Sequence, residues 1–168
     1  SRWKKASRNF MASKPLVIMG DIELHHLAEK HILPFVQNMS KQNLREFEVL
    51  YKLDPVDSLR GAINEDLAHA VELNGRPIAI CGVRESTMWA VFSNDIKKHW
   101  RSFVKCSPSV VRFYHNFHDE LYCDVWDENI FVHNWLAHLG FRPYATQQAE
   151  YRVVNFVRCN SWNDVVGS

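Results

Sequence analysis

Nine histidines give this sequence its widest reservoir of possible chemistry. His25, His26 and His31 fall in a stretch whose apolar spacing reads as helix, and His115 and His118 stand three residues apart. Two imidazoles at i, i+3 or i, i+4 can share one metal ion, but a catalytic site needs a third ligand. No His-Glu-x-x-His and no cysteine pair supplies one, so the histidines read as structural or surface groups and no metal site is expected. Covalent catalysis has no clearer footing: there is no Gly-x-Ser-x-Gly elbow, and nothing points to a Cys–His dyad. A Walker loop and a dinucleotide fingerprint are both missing, which argues against nucleotide hydrolysis and hydride transfer. The first ten residues, Ser1 to Phe10, mix Arg2, Lys4, Lys5 and Arg8 with Trp3 and Phe10. Such an arm can order against an acidic partner, a nucleic-acid backbone or the body of its own chain. A protein partner is the expectation, and nucleic acid the lesser one.

These groups need a scaffold, and 168 residues suffice for one domain. Hydrophobic residues make up 46% and charged residues 23%, which excludes a disordered or fibrous chain. The formal charge of +1 is unevenly spread. Residues 1–14 hold five bases and no acid, leaving 15 bases against 19 acids on residues 15–168. The division expected is therefore a basic aromatic arm over 1–14 and a single domain over 15–168. Cys81, Cys106, Cys123 and Cys159 lie far apart, a usage that suits free thiols in a reducing compartment. No apolar run is long enough to span a membrane, and no apolar stretch follows the basic start as a secretory signal requires. A cytoplasmic protein with no membrane partner is expected.

Leu16–Met19 predicts a first strand ending at Gly20, and Asp21 an N-cap for a helix carrying Leu24, Leu27, Ala28, Ile32 and Phe35. Pro34 should kink or end that helix. Further helical patterns cover about 40–52 and 55–65. Leu67–Leu73 alternates, Asn74-Gly75 signals a hairpin, and Pro77–Val83 and Thr87–Phe92 complete a three-stranded meander. A helix over 95–105 should be restarted at Ser107-Pro108. Leu121–Trp126 reads as a strand, Ile130–Leu139 as a helix closed by Gly140, and 142–150 and 151–158 as two final strands. The sum is an α+β mix around a mostly antiparallel sheet.

This element order, and the segment Asn129-Ile130-Phe131-Val132-His133-Asn134-Trp135-Leu136-Ala137-His138-Leu139-Gly140-Phe141, resemble the GNAT (GCN5-related) N-acetyltransferase superfamily. There a strand is followed by Asn, a helix and Leu-Gly-Phe. A more distant likeness is to the GNAT-like internal virion proteins of T7-like bacteriophages. It rests on Gly75–Gly82, the Trp89-centred strand running into Ser93-Asn94-Asp95, a basic-aromatic helix and the Trp126 strand before Asn129. The superfamily resemblance implies a central sheet with helices on both faces and a splay between the fourth strand (87–92) and the fifth (121–126). It implies acyl transfer from acetyl-CoA to an amine acceptor. The phage likeness implies an inactive structural or host-interaction role, in a host cytoplasm or a virion.

Mapped onto this sequence, the resemblance makes Glu85 the candidate base, with Glu72 next, and His133 a weak candidate acid beside Tyr144. It places Val91, Asn94, Lys97, Lys98 and Asn129 at the cofactor, with Arg101 or Lys105 as further cations and a fourth-strand N–H around Ala90–Phe92 polarising the thioester. Family pyrophosphate loops rely on glycines and free backbone N–H groups at a helix start. Here the matching segment is Ser93-Asn94-Asp95-Ile96-Lys97-Lys98, which has no glycine and puts a carboxylate among the phosphates; Lys105-Cys106-Ser107 is the second candidate. The family's tyrosine acid is replaced by Leu136. Each residue also has a plainer reading. Asn129 caps a helix, Glu85 is a solvated loop carboxylate, and Lys97 and Lys98 form a wet helix face.

Overall fold

The computed structural model describes residues 14–165. Of the basic arm only Lys14 falls within that range, so the arm itself lies outside the described residues. Val17–Met19 (β1) and Ile22–His26 (β2) form a hairpin in which Met19 pairs with Ile22 across the two-residue turn Gly20-Asp21. Gly20 takes φ +66°, a conformation glycine reaches without Cβ strain. Asp21 therefore caps no helix, and the expected long helix shortens to Glu29–Gln37 (α1), which keeps Pro34 inside it. The apolar spacing that suggested helix from Leu24 onward is split between a strand and the helix that follows.

Lys41–Arg45 (α2) starts at Ser40, whose hydroxyl accepts the Asn43 N–H at 3.2 Å. It runs into a π-helical stretch, Glu46–Tyr51, so the helix expected over 40–52 is two pieces. Pro55–Ala62 (α3) follows, with Asp54 as its cap. Next come Leu67–Leu73 (β3), Arg76–Arg84 (β4) and Thr87–Phe92 (β5). Asn74 and Gly75 both have positive φ, 51° and 76°, as the I′ hairpin turn demands. Every residue of β3 is buried, although its sequence alternates as a half-exposed strand would.

Asn94–His99 is a 3-10 segment leading into Trp100–His115 (α4). The restart expected at Ser107-Pro108 does not occur: α4 is continuous with Pro108 inside it. Ser107 Oγ instead accepts the Trp135 indole N–H at 3.0 Å. Glu120–Trp126 (β6), Ile130–His138 (α5), Arg142–Gln148 (β7) and Arg152–Cys159 (β8) complete the main elements. Helix α5 ends as anticipated. Gly140 has φ +86°, and the Gly140 and Phe141 N–H groups return to Ala137 and Leu136 carbonyls, a Schellman closure.

The eight strands are ordered β1-β2-β3-β4-β5-β6-β8-β7. Pairing is antiparallel from β1 to β3 and across β6, β8 and β7, whereas β5 meets β6 in parallel with Thr87 opposite Tyr122. The chain packs as two compact units. One takes the chain to Gly82 and Ala90–Phe103, with Ile22, Leu24, Ile32, Phe35, Met39 and Ile80 at its core. The other takes Val83–Trp89 and the chain from Val104, around Tyr114, Leu121, Leu136 and Leu139. The four cysteines are free thiols. Among the described residues no helix is long and apolar enough to cross a membrane.

Candidate functional site

In the first unit, the chemistry expected at the cofactor gathers where β5 ends. Residues 38–43, the link after α1 and the first turn of α2, bond to this end repeatedly. Ser40 N–H donates to the Phe92 carbonyl (2.9 Å), and the Phe92 N–H donates to Asn43 Oδ1 (2.8 Å). Asn94 N–H donates to the Asn38 carbonyl (2.7 Å), while Ser93 N–H is held by Ile78 of β4 (3.0 Å). Within the 3-10 turn, Asp95 N–H donates to Ser93 Oγ and Ile96 N–H to the Ser93 carbonyl. Five successive backbone donors, 92 to 96, are thus engaged inside the protein.

The side chains follow the same pattern. Asn38 Nδ2 donates to Asp95 Oδ2 at 2.9 Å, and Lys98 Nζ lies 3.6 Å from Asp95 Oδ1. The carboxylate expected among phosphates is therefore fixed in place, and it draws Lys98 to itself. Lys97 and Asn94 are exposed, and Val91 is buried in β5. Buried Asn43 was not anticipated. It accepts from Phe92 N–H and Ser40 Oγ, and its Nδ2 donates to buried Glu46 at 3.0 Å. Glu72, the second base candidate, is buried on β3 with His25 at 2.7 Å.

In the second unit, Glu85 is the first residue of the β4–β5 turn, exposed, with φ +60°. It precedes β5, whereas Asn94, Lys97 and Lys98 follow it. Buried Asn129 caps α5 by accepting the Val132 N–H at 3.3 Å. His133 donates from Nε2 to the Trp126 carbonyl (3.2 Å), and its ring meets Phe156 edge-on. Tyr144 is exposed and packs edge-on against Tyr122. Lys105-Cys106-Ser107 lies within α4 and begins no helix, so it offers no free helix-start donors. Burial pushes the Cys106 thiol up to about 11, leaving it an inert apolar group at neutral pH.

No protein-family model matches the chain, and no curated protein matches it. Solved structures do. A GNAT-family acetyltransferase from Bacillus anthracis superposes with TM-score 0.68 at 8% identity, over 86% of this chain and 98% of its own. One from Streptococcus agalactiae gives 0.64 at 9%, over 85% and 98%. A spermidine N-acetyltransferase chimera of Vibrio cholerae SpeG and hSSAT gives 0.63 at 12%, over 86% and 98%. The fold is that of the GNAT acetyltransferases. Relative to the expected numbering, the extra hairpin strand β2 makes β5 the GNAT fold's fourth strand and β6 its fifth. Sequence reading did not anticipate Asn43, whose only local signal is a Ser-x-x-Asn start to a short helix.

Proposed function

We propose that this chain uses the GNAT fold as a binding or structural module, not as a working acyltransferase. What carries the reading is the set of backbone donors from Phe92 to Ile96, each with an acceptor inside the protein. An anion cradle needs such donors pointing at the ligand. Releasing even two of them costs about 2 kcal/mol at roughly 1 kcal/mol per bond, a loss of about thirtyfold in affinity. Asp95, held by Asn38, adds a negative charge where pyrophosphate would sit. The likeness to internal virion proteins of T7-like phages names a natural setting, in a virion or the host cytoplasm. The basic arm is then a contact for a protein partner.

The second reading is transfer of an acetyl group from acetyl-CoA to an amine. It is favoured by the solved neighbours, which are named as acetyltransferases, and by exposed Lys97, whose ammonium is available to a phosphate. In that reading Val91, Asn94, Lys97, Lys98 and Asn129 are the cofactor-binding residues. Glu85 or an ordered water takes the amine proton, and His133 is the weak acid candidate. Calorimetric titration with acetyl-CoA separates the two. The module reading expects no binding heat up to millimolar ligand. A micromolar dissociation constant overturns it and makes an amine-acceptor screen the next step.

A further inference from the structure

Also in the first unit, the β2–β3 ladder places Glu23 directly across from Glu72. Side chains of a strand alternate between faces, so His25, two residues from Glu23, shares their face. His25 Nε2 lies 2.7 Å from Glu72 Oε2 and 3.0 Å from Glu23 Oε1. The three donor atoms all fall within 4.8 Å of one another. We propose that Glu23, His25 and Glu72 form a site for a divalent transition-metal cation, with His31 positioning Glu72.

Like charges directly opposed on adjacent strands repel. Here one of them is also desolvated: the Glu72 side chain is only 9% exposed. Among the described residues its ion-pair partners are His25 and His31, with no lysine or arginine. A proton on His25 compensates one of the two negative charges; a dication compensates both. It can also draw all three donors to itself: His25 Nε2 already stands 2.7 and 3.0 Å from the two carboxylate oxygens, a spacing that suits metal–ligand bonds near roughly 2.0–2.2 Å. One imidazole and two carboxylates fit zinc or manganese, with water completing the shell.

His31 supplies the independent sign. It is 2% exposed, and its Nε2 has no hydrogen-bond partner. The Ala28 N–H donates to Nδ1 at 3.0 Å, which fixes Nε2 as the protonated nitrogen. That buried donor faces Glu72 Oε1 at 3.9 Å, the oxygen not turned to His25. A ligating carboxylate whose second oxygen meets an N–H donor is the usual outer-shell arrangement. His31 is therefore a positioning residue and not a ligand. His25 Nδ1 is buried without a partner, so nothing on that side ties the ring to the Nε2–H tautomer. Its proton can pass to Nδ1 when the metal takes Nε2, at the cost of an unpaired buried N–H that weakens binding.

The test is calorimetric titration of the metal-stripped protein with Zn2+, read with the melting temperature. One ion per chain should bind with micromolar affinity and raise the melting temperature. Glu23→Gln, at a side chain 41% exposed, should weaken binding by about tenfold or more without lowering the metal-free melting temperature. His25→Ala should abolish the site while leaving the other eight histidines as a control for adventitious uptake. His31→Gln should weaken binding without abolishing it. No uptake at sub-millimolar Zn2+, or uptake unchanged by Glu23→Gln, overturns the proposal. If His25→Ala fails to fold, the exposed Glu23→Gln variant still decides.

Discussion

Asn43 bonds in three directions from inside a short helix: to Phe92 N–H, to Ser40 Oγ and to Glu46. Truncating it takes the acceptor from the buried Phe92 N–H and one donor from the buried Glu46 carboxylate, which keeps Gln42 at 3.4 Å. Losing the partner of a buried group costs about 1–3 kcal/mol. Asn43→Ala should therefore destabilise the protein by about 1–3 kcal/mol. Urea unfolding should show a lower midpoint at unchanged slope. A change within a few tenths of a kcal/mol would mean that the β5 end is not held this way. Histidine 31 makes a second prediction at this scale. Burial, aided by Lys30 and His25, holds its pKa at about 4 against 6.5 in an unfolded chain. As pH falls below 6.5 the unfolded state takes up the proton first, so stability present above that pH drains away down to about 4. The loss should be on the order of 3 kcal/mol. Burial lowers His115 too, which adds in the same direction. Urea midpoints between pH 7.5 and 4.5 should fall, and fall less in His31→Gln; equal slopes in both proteins would contradict the assignment.

At the scale of elements, two closures carry testable strain. Gly140 holds φ +86° at the end of α5, where an L side chain is crowded. Gly140→Ala should lower stability by about 1–2 kcal/mol, seen as a drop of a few degrees in melting temperature. Pro108 sits inside α4, where it gives no N–H to the helix ladder. Pro108→Ala restores that donor and should raise the melting temperature; a fall would show that the ring's packing outweighs the lost bond. These elements also show what could be read from sequence. Asn74-Gly75 and Leu139-Gly140-Phe141 were legible because both fix local backbone geometry that few residues adopt. The Gly20-Asp21 turn was hidden because Leu24, Leu27 and Ala28 mimic a helical stripe while Ile22–His26 is a strand. At Pro108 a favourable local start signal lost to the continuous apolar face of α4, with Phe103, Val110, Val111 and Tyr114 all buried.

Across the whole molecule, element order together with the Asn129–Phe141 segment carried the fold, because β-hairpins, a strand–helix–strand run and two closing strands admit few arrangements. The candidate site was only partly legible. Ser93–Lys98 and Asn129 were singled out through the family resemblance and stay candidates. That the backbone donors around Phe92 are engaged could not be read, since Asn43 and Phe92 are 49 residues apart and meet only in the folded protein. The cation site was obscured for a related reason: reading 21–35 as one helix grouped His25 with His31 and separated it from Glu72. The backbone donors from Phe92 to Ile96 are occupied by the protein itself. Amide-resolved NMR during an acetyl-CoA titration tests this most directly. The amides of Phe92, Ser93 and Asn94 should exchange slowly with solvent and stay unmoved at millimolar ligand. Saturable shifts of those amides at micromolar acetyl-CoA would contradict the account and return the chain to acyl transfer.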